Sequence, residues 1–291
     1  MLSPYRVLDL STNHSAVCGA MLADLGADVI AVEPLSGSPL RQEGPFRHDE
    51  PDAEHSLPWW SYSRNKRSVS LDLTSDDGRA ALLTLVDDAD FLIESFAPGY
   101  LDSLGLGYSS LSERQPGLIM VSITPFGQEG PKSAWAASDL TVWASSGALN
   151  LTGDDDLAPV RVSVPQANLH AGAEAAVAAL VALAARQRDG GGQHIDVSAQ
   201  TASMIATQSF ILAPAWNDLS LARIGGGLRL GPLFVRFVYP CKDGFVNITL
   251  LFGNVLGLFT RRLFAWMHEE EFVDEVTRDK DWVAYLQLLL T

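Results

Sequence analysis

An alternation of strand-like and helix-like segments constrains the fold of this chain more than any other feature. Short apolar runs at residues 7–10 and 28–33 flank a helical pattern at residues 16–25. The alternation returns further on, as a predicted helix at 78–87, strand at 91–94, short helix at 101–105 and strand at 118–123. Repeated strand, helix, strand units are typical of a parallel sheet covered by helices on both faces. We therefore predict an α/β fold of this kind.

The middle of the chain continues the same architecture. Helical patterns occupy residues 138–146 and 171–188. The glycines at 190–192 are suited to end the longer helix before a strand at 194–197. Between the first units, the Pro-, Gly- and acid-rich stretch at 35–58 predicts a long surface loop with binding potential.

The composition changes at about residue 223, where a Gly- and Arg-rich loop precedes two β-rich runs. We predict a large domain at 1–222, followed at 223–291 by a linker and the beginning of a smaller domain. The amphipathic pattern at 282–290 stops without a cap. The chain is therefore interpreted as truncated or as one part of a longer tandem protein.

The charge and composition exclude several classes of function. Acidic side chains outnumber basic ones by 35 to 20, which gives a formal net charge of -15 and opposes general affinity for nucleic acid or membrane surfaces. The most apolar run, residues 175–185, is too short to cross a bilayer, and the N-terminus lacks the apolar segment of a signal peptide. Cys18 and Cys241 form no CxxC pair, so neither a disulfide framework nor a zinc site is expected. We expect a cytoplasmic protein.

Common catalytic motifs do not account for the sequence. The turn after the first strand, residues 11–16, has no GxGxxG, so NAD binding is not expected. Neither HExxH nor GxSxG occurs, which argues against metal catalysis and serine hydrolysis. Three cations stand together at residues 64–67, just before a strand predicted at 68–72, and they either receive phosphates or form a solvated loop.

Several segments, in the same order along the chain, resemble the family III (CaiB/BaiF-type) CoA-transferases, which include formyl-CoA transferase and α-methylacyl-CoA racemase. The matching segments are LGADVIAVEP at 25–34, NKR at 65–67, ESFAPG at 94–99, SITPFGQEGP at 122–131, GGGQHIDVS at 190–198 and YPCKDG at 239–244. The resemblance implies a Rossmann-like sheet, a smaller second domain and two chains interlocked as a dimer.

The resemblance also implies a site for acyl-CoA, with a carboxylic acid as the second substrate and no metal. The residues expected near CoA are His14, Arg41, Asn65, Lys66, Arg67, Phe96, Ala97, Pro98 and Gly99. Gly225 and Gly226 resemble a glycine loop that covers the acyl group, although a plain interdomain hinge is an equal alternative.

The nucleophile of this family is an aspartate placed just before the long helix. The corresponding run at 162–172 carries Asn168 at that position, and an uncharged amide is a poor nucleophile. The racemase branch uses a His-Asp pair where this chain has Ser138 and Asp139. Asp139 or Glu174 could contribute a carboxylate from nearby sequence, although capping a helix or facing solvent is favoured for both.

Three functional hypotheses follow from the resemblance. The first is a homologue that binds acyl-CoA and transfers CoA between carboxylic acids. The second is a catalytically inactive CoA-binding subunit, or half of a tandem CoA-transferase, that associates with a homologous chain rather than forming a homodimer. The third is a 2-methylacyl-CoA racemase, which ranks last because its acid and base groups are missing.

Overall fold

The computed structural model describes residues 1–205, 223–230, 233–250 and 252–285. The contacts within the chain divide it into two compact units. The first comprises Met1–Asn150 and Arg161–Leu221, and the second Leu151–Val160 and Ala222–Thr291. The predicted domains, 1–222 and 223–291, stay a prediction.

A parallel sheet forms the first unit, and its strands follow the order β3-β2-β1-β4-β5-β6. The strands are β1 (Arg6–Leu10), β2 (Asp28–Glu33), β3 (Lys66–Ser70), β4 (Phe91–Glu94), β5 (Ile119–Thr124) and β6 (Gln193–Ser198). This is the doubly wound order of Rossmann-like folds, in which the direction of winding reverses between β1 and β4. The predicted fold class is confirmed.

Helices follow most of the strands. They are α1 (Val17–Asp24), α2 (Leu57–Ser63), α3 (Asp76–Val86), α4 (Tyr100–Ser103), α5 (Tyr108–Arg114), α6 (Asp139–Ser145), α7 (Ala167–Asp189) and α8 (Ala199–Ile205). Short 3-10 turns at His14–Ala16 and Pro39–Gln42 follow β1 and β2. The sequence placed residues 57 and 58 in a loop, whereas they begin α2, since Ser56 caps this helix and Pro58 suits its first turn.

Alternate residues of the inner strands β1, β2, β4 and β5 enter two separate hydrophobic cores, whereas the edge strands β3 and β6 each contribute to one of them. Val7 of β1 packs on one face with residues of α1 and α7, and Leu8 packs on the other face with residues of α3 and α5. Because both faces of these inner strands are covered, they are largely apolar and could be read from the sequence, whereas the edge strands β3 (KRSVS) and β6 (QHIDVS) are mostly polar.

Helix α7 has the length and hydropathy of a membrane-spanning segment. Nevertheless, small residues along one of its faces, including Ala171, Ala175 and Ala179, are fully buried against the sheet and α1. This packing is that of a core helix. The helix begins four residues before its predicted start at residue 171, and Gly190 ends it in a left-handed conformation.

The second unit contains two antiparallel strand pairs and a helical segment. Strand β7 (Gly227–Leu230) pairs with β8 (Leu233–Arg236), and β9 (Val238–Cys241) pairs with β10 (Gly244–Asn247). Helices α9 (Gly253–Glu269) and α10 (Glu275–Arg278) follow. The β-rich run expected at 234–239 is thus divided between two strands, and residues 286–290 of the amphipathic pattern lie outside the described residues.

Gly192, which precedes β6, packs closely against the backbone of Leu118, and its substitution tests this close packing. A methyl group on Gly192 would lie 2.0 Å from the Leu118 carbonyl oxygen, whereas one on Gly191 would meet nothing within 4 Å. We expect Gly192→Ala to lower the free energy of unfolding by about 2 kcal/mol or more, because backbone must move. Gly191→Ala should change it by less than about 0.5 kcal/mol. Denaturant unfolding measures both, and equal losses would contradict the close approach.

Candidate functional site

A cavity of about 420 Å³ lies in the first unit, at the carboxyl ends of the strands on either side of β1. Its lining residues are Asp9, Leu10, Ser11, Thr12, Ala16, Ala31, Val32, Glu33, Pro34, Leu35, Ser36, Ser38, Pro39, Trp59, Ser63, Lys66, Leu71, Asp72, Leu73, Thr74, Phe96 and Tyr100. Open α/β sheets bind ligands at this edge, where the order of the strands reverses. The cavity is therefore the candidate ligand site.

An ion pair between Lys66 and Asp9 forms part of the cavity wall. The Lys66 Nζ lies 2.7 Å from Asp9 Oδ2 and 2.8 Å from the Ala16 carbonyl oxygen, and only 2–3% of either side chain is exposed. Gly19 makes room for the pair, since a methyl group there would lie 2.2 Å from Asp9 Oδ2. Removing one member of such a pair would leave a buried charge without a partner.

A second ion pair involves Glu33, which lines the cavity at the end of β2, and Arg41, which lies outside the lining. Arg41 donates from Nε and Nη2 to the Glu33 carboxylate, at 2.6 and 3.0 Å, and its guanidinium lies 4.0 Å from the ring centre of Trp59. Burial raises the pKa of Glu33, but hydrogen bonds from Arg41 and Ser68 outweigh it and hold that pKa below its usual value.

The hydrogen bonds of Glu33 indicate whether the cavity can bind a dinucleotide. In dinucleotide-binding enzymes an acidic residue close to the end of β2 accepts from the ribose hydroxyls. Both oxygens of Glu33 are already bonded to Arg41, Ser68 or the Ser38 backbone N–H. The site therefore lacks the free acceptor of a dinucleotide site as well as the glycine motif.

The basic cluster at 64–67 does not form one group around the cavity. Arg64 and Asn65 bond Asp24 at the end of α1, at 2.7 and 2.8 Å. Arg67 bonds Asp28, which begins β2 and thus lies at the opposite edge of the sheet. Lys66 is the one cluster member in the cavity lining. The strand expected at 68–72 starts at Lys66, because Lys66 already pairs with β2, so the cluster overlaps its amino end.

His14 lies in the turn after β1, outside the cavity lining. Its Nε2 is 3.0 Å from the Glu43 carboxylate, and its ring meets Tyr62 edge to face at 5.4 Å. Of the turn after β4, Phe96 lines the cavity, Ala97 and Gly99 line a second cavity of about 360 Å³, and Pro98 lines neither.

Ser95 connects the turn after β1 with the turn after β4, at the place where the strand order reverses. Its hydroxyl accepts from the Thr12 backbone N–H at 2.9 Å and lies 3.1 Å from the Thr12 hydroxyl. The turn after β1 and the turn after β4 are thus held together across the gap where the ligand site opens. Among the described residues, no group of His, Cys, Asp or Glu side chains is arranged to hold a metal.

Asn168 lies in the first turn of α7 and is partly buried. Its side chain makes no hydrogen bond or ion pair with the described part of the chain. One helical turn later on the same face, Gly172 packs on Ser15, because a methyl group there would lie 2.8 Å from the Ser15 carbonyl oxygen. Asn168 thus lies on the face of α7 that packs on the turn after β1, and it lines neither of the two cavities.

Ser138 and Asp139 act as helix caps. The Ser138 hydroxyl accepts from the Thr141 backbone N–H and caps α6. The Asp139 carboxylate accepts from the backbone N–H groups of Gln166 and Ala167, at 2.6 and 2.8 Å, and so caps α7. The sequence identified capping as one role for Asp139, but the partners are 27 and 28 residues away and only the fold reveals them.

Gly225 and Gly226 belong to the second unit, where both have left-handed backbone conformations, with φ of 45° and 54°. A methyl group on Gly225 would lie 2.4 Å from the Asp154 carboxylate. The two positions therefore require glycine for local reasons. Their predicted role over the acyl group stays a prediction.

Comparisons with known proteins match nearly the whole chain. The sequence model described as CoA-transferase family III matches residues 2–283. Succinyl-CoA:(R)-benzylsuccinate CoA-transferase subunit BbsE of Thauera aromatica is 39% identical over 285 residues, which are 97% of this chain and 68% of that protein. Succinyl-CoA--D-citramalate CoA-transferase of Chloroflexus aurantiacus is 35% identical, over 89% of this chain and 63% of that protein.

A solved structure agrees with these matches. A CAIB/BAIF family protein from Brucella suis superposes with a TM-score of 0.78 and 29% identity, over 99% of this chain and 75% of that one. The chain therefore spans about two thirds to three quarters of the length of these relatives. By its sequence and its fold, it belongs to CoA-transferase family III.

Proposed function

We propose that this chain binds acyl-CoA in the 420 Å³ cavity and serves as the subunit without a nucleophile in an enzyme that transfers CoA between carboxylic acids. Asn168 carries the proposal, because the run at 162–172 resembles the segment that holds the family's catalytic aspartate and has an asparagine at that position. A homologous chain with an aspartate at that position would supply the nucleophile. The relative from Thauera aromatica, 39% identical, is itself named as a subunit.

The chemistry of transfer explains why Asn168 is decisive. In this family a carboxylate oxygen attacks the acyl-CoA carbonyl, which breaks the thioester and leaves an acyl anhydride and CoA thiolate. The lone pair of an amide nitrogen is delocalised and the group carries no charge, so it cannot replace that oxygen. The nearby Asp139 accepts from two backbone N–H groups of α7 through Oδ1, and its Oδ2 lies 3.7 Å from Arg161 Nε, which argues against its use as a substitute.

The cavity has features that suit the nucleotide part of CoA. Phe96 and Tyr100 form an aromatic pair, with ring centres 4.9 Å apart, on which a purine can stack. Lys66 and Arg41 neutralise the two buried carboxylates of the lining, so the wall is less acidic than the net charge of the chain suggests. Arg64 and Arg67 would reach a phosphate only by leaving Asp24 and Asp28.

The acyl group is proposed from the relatives. The names of the matches from Thauera, Chloroflexus and Agrobacterium pair succinyl-CoA or succinate with a second organic acid, namely benzylsuccinate, citramalate or glutarate. We therefore take a dicarboxylic acyl-CoA as the substrate class. No observation favours racemisation, since Ser138 and Asp139 are both engaged as helix caps.

Asn168→Asp tests whether the site lacks only its nucleophile. We expect the unmodified protein to give neither an acyl adduct nor transfer from succinyl-CoA to a carboxylic acid, because its amide cannot attack the thioester. The Asp variant should acquire the mass of the acyl group, detected by intact-protein mass spectrometry. Asn168→Ala is the matched control and should remain unmodified. Turnover by the unmodified protein in the absence of any homologous chain would contradict its proposed role as the subunit without a nucleophile.

Tyr100→Ala tests the assignment of the cavity to CoA. Loss of one ring of the aromatic pair should weaken CoA binding about fivefold to tenfold, since stacking interactions are worth about 1 kcal/mol. Isothermal titration calorimetry measures the dissociation constant. Trp135→Ala removes an exposed ring outside the cavity lining and should leave affinity unchanged. If the unmodified protein, Tyr100→Ala and Trp135→Ala bind CoA with equal affinity, CoA binds outside this cavity.

A further inference from the structure

The second cavity, of about 360 Å³, is a concave site that the proposed binding of CoA does not use. Residues of β4, α4, α5, β5, the loop after β5 and β6 line it, and it shares no described lining residue with the first cavity. Its volume suits a small organic molecule, since ligand pockets usually measure about 300–1,000 Å³. The chemistry of the lining indicates which class of molecule would bind there.

The lining of this cavity carries a strong excess of negative charge. Glu94, Asp102 and Glu129 contribute carboxylates, and the described lining contains no lysine or arginine. None of the three carboxylates forms an ion pair with the described residues, and the residues outside the described ranges include no lysine, arginine or histidine. The imidazole of His194 supplies little positive charge, because partial burial lowers its pKa. Such a lining disfavours the phosphates of CoA and favours a cation.

Glu94 distinguishes the cavity from an acidic surface patch. It is the last residue of β4 and only 4% exposed, whereas the other two carboxylates of the lining belong to exposed residues. Its hydrogen-bond partners, the Phe96 backbone N–H at 2.7 Å and the Ser122 hydroxyl, are uncharged. Asp9 and Glu33, which are equally buried, each bond a lysine or an arginine of the chain. Glu94 therefore lacks the counter-charge that a buried carboxylate normally has, and it lines a cavity instead.

Hydrogen bonds within the chain position the walls of the cavity. Asp196 of β6 accepts from the Gln128 backbone N–H at 2.8 Å, and so fixes the loop that carries Glu129. The Ser122 hydroxyl of β5 lies 2.8 Å from His194 Nε2 of β6. Because the walls are ordered before a ligand enters, binding costs little conformational entropy of the protein.

Two stacked rings give the cavity an aromatic wall. The Tyr108 ring of α5 and the His194 ring of β6 lie 5.4 Å apart, with an angle of 20° between their planes. Guanidinium and alkylammonium groups are attracted to the faces of such rings as well as to carboxylates. A metal ion is less suited, because no group of three His, Cys, Asp or Glu side chains in the described part of the chain is arranged to hold one. The observations therefore favour an organic cation.

We propose that the second cavity binds a small organic cation of the alkylammonium or guanidinium class, with its cationic group paired to the Glu94 carboxylate. The exposed carboxylates of Asp102 and Glu129 attract the ligand, and a second cationic group of the ligand pairs with them. Leu101 and Met120 supply apolar surface for its carbon chain. A short diamine meets all of these requirements. The site does not depend on the binding of CoA, and it goes beyond the proposed function.

Isothermal titration calorimetry with putrescine tests the site. The titration is made at about pH 8, where Glu94 is ionised, since burial raises its pKa to about 7. We expect saturable binding to a single site per chain. Agmatine, with a guanidinium at one end and an ammonium at the other, should bind as well. Butanediol with a hydroxyl group at each end has the same carbon chain without charge and should not bind. Equal affinity for butanediol, or no binding of either amine, would overturn the proposal.

Charge-removing variants locate the bound amine. Glu94→Gln keeps the size of the side chain and should weaken putrescine binding about tenfold or more, because the buried ionic partner is lost. Glu113→Gln removes the same charge from an exposed position of α5 outside the lining, and should leave the affinity unchanged. Equal losses in the two variants would mean that putrescine binds to the acidic surface in general, which would overturn the proposal.

A double variant decides the question if Glu94→Gln fails to fold, which its thermal midpoint shows. Asp102→Asn combined with Glu129→Gln changes only exposed side chains of the lining. It should weaken putrescine binding about threefold or more relative to a control that combines Glu50→Gln with Glu113→Gln, since rim charges contribute less than a buried one. The control removes two exposed charges outside the lining. The same affinity in both double variants would overturn the assignment.

Discussion

The need to cover both faces of a parallel sheet determines the rest of this structure. Val7 and Leu8 of β1 enter opposite cores, and the helices close over each. Among the described residues, the buried carboxylates lie where strands end. Asp9, Glu33 and Glu94 all lie at or next to the carboxyl ends of their strands, and each is buried at 4% exposure. Every one of them needs a partner, because a buried charge without compensation is strongly destabilising.

The three carboxylates are compensated in different ways. Asp9 has Lys66, and Glu33 has Arg41, so both are ion pairs whose charges cancel locally. Glu94 accepts from the Phe96 backbone N–H and has no cationic partner among the described residues, and burial together with nearby acids raises its pKa to about 7. This difference makes two of the groups part of the framework and leaves the third responsive to protons.

The sequence predicted the sheet better than the site, for a physical reason. Strands β2 and β4 have the bounds expected from their apolar runs, since burial on both faces leaves a local signal. The partners of a charged side chain leave no such signal. Arg67 meets Asp28, 39 residues away, and Lys66 meets Asp9, 57 residues away, so a compact cluster in sequence became a dispersed set of ion pairs. The start of α7 was missed likewise, because Asp139 of α6 supplies its cap.

The cap on α7 makes the fold tolerant of substitutions at residue 168 during evolution. Asp139 satisfies the first backbone donors of the helix whether residue 168 carries a charge or not. An aspartate in this first turn would be favoured by the helix dipole, and an asparagine costs the fold little. If a homologous chain uses residue 168 as its nucleophile, as proposed above, a duplicated copy could lose that group and keep its shape and its packing. Selection for assembly and selection for catalysis would then act on separate genes.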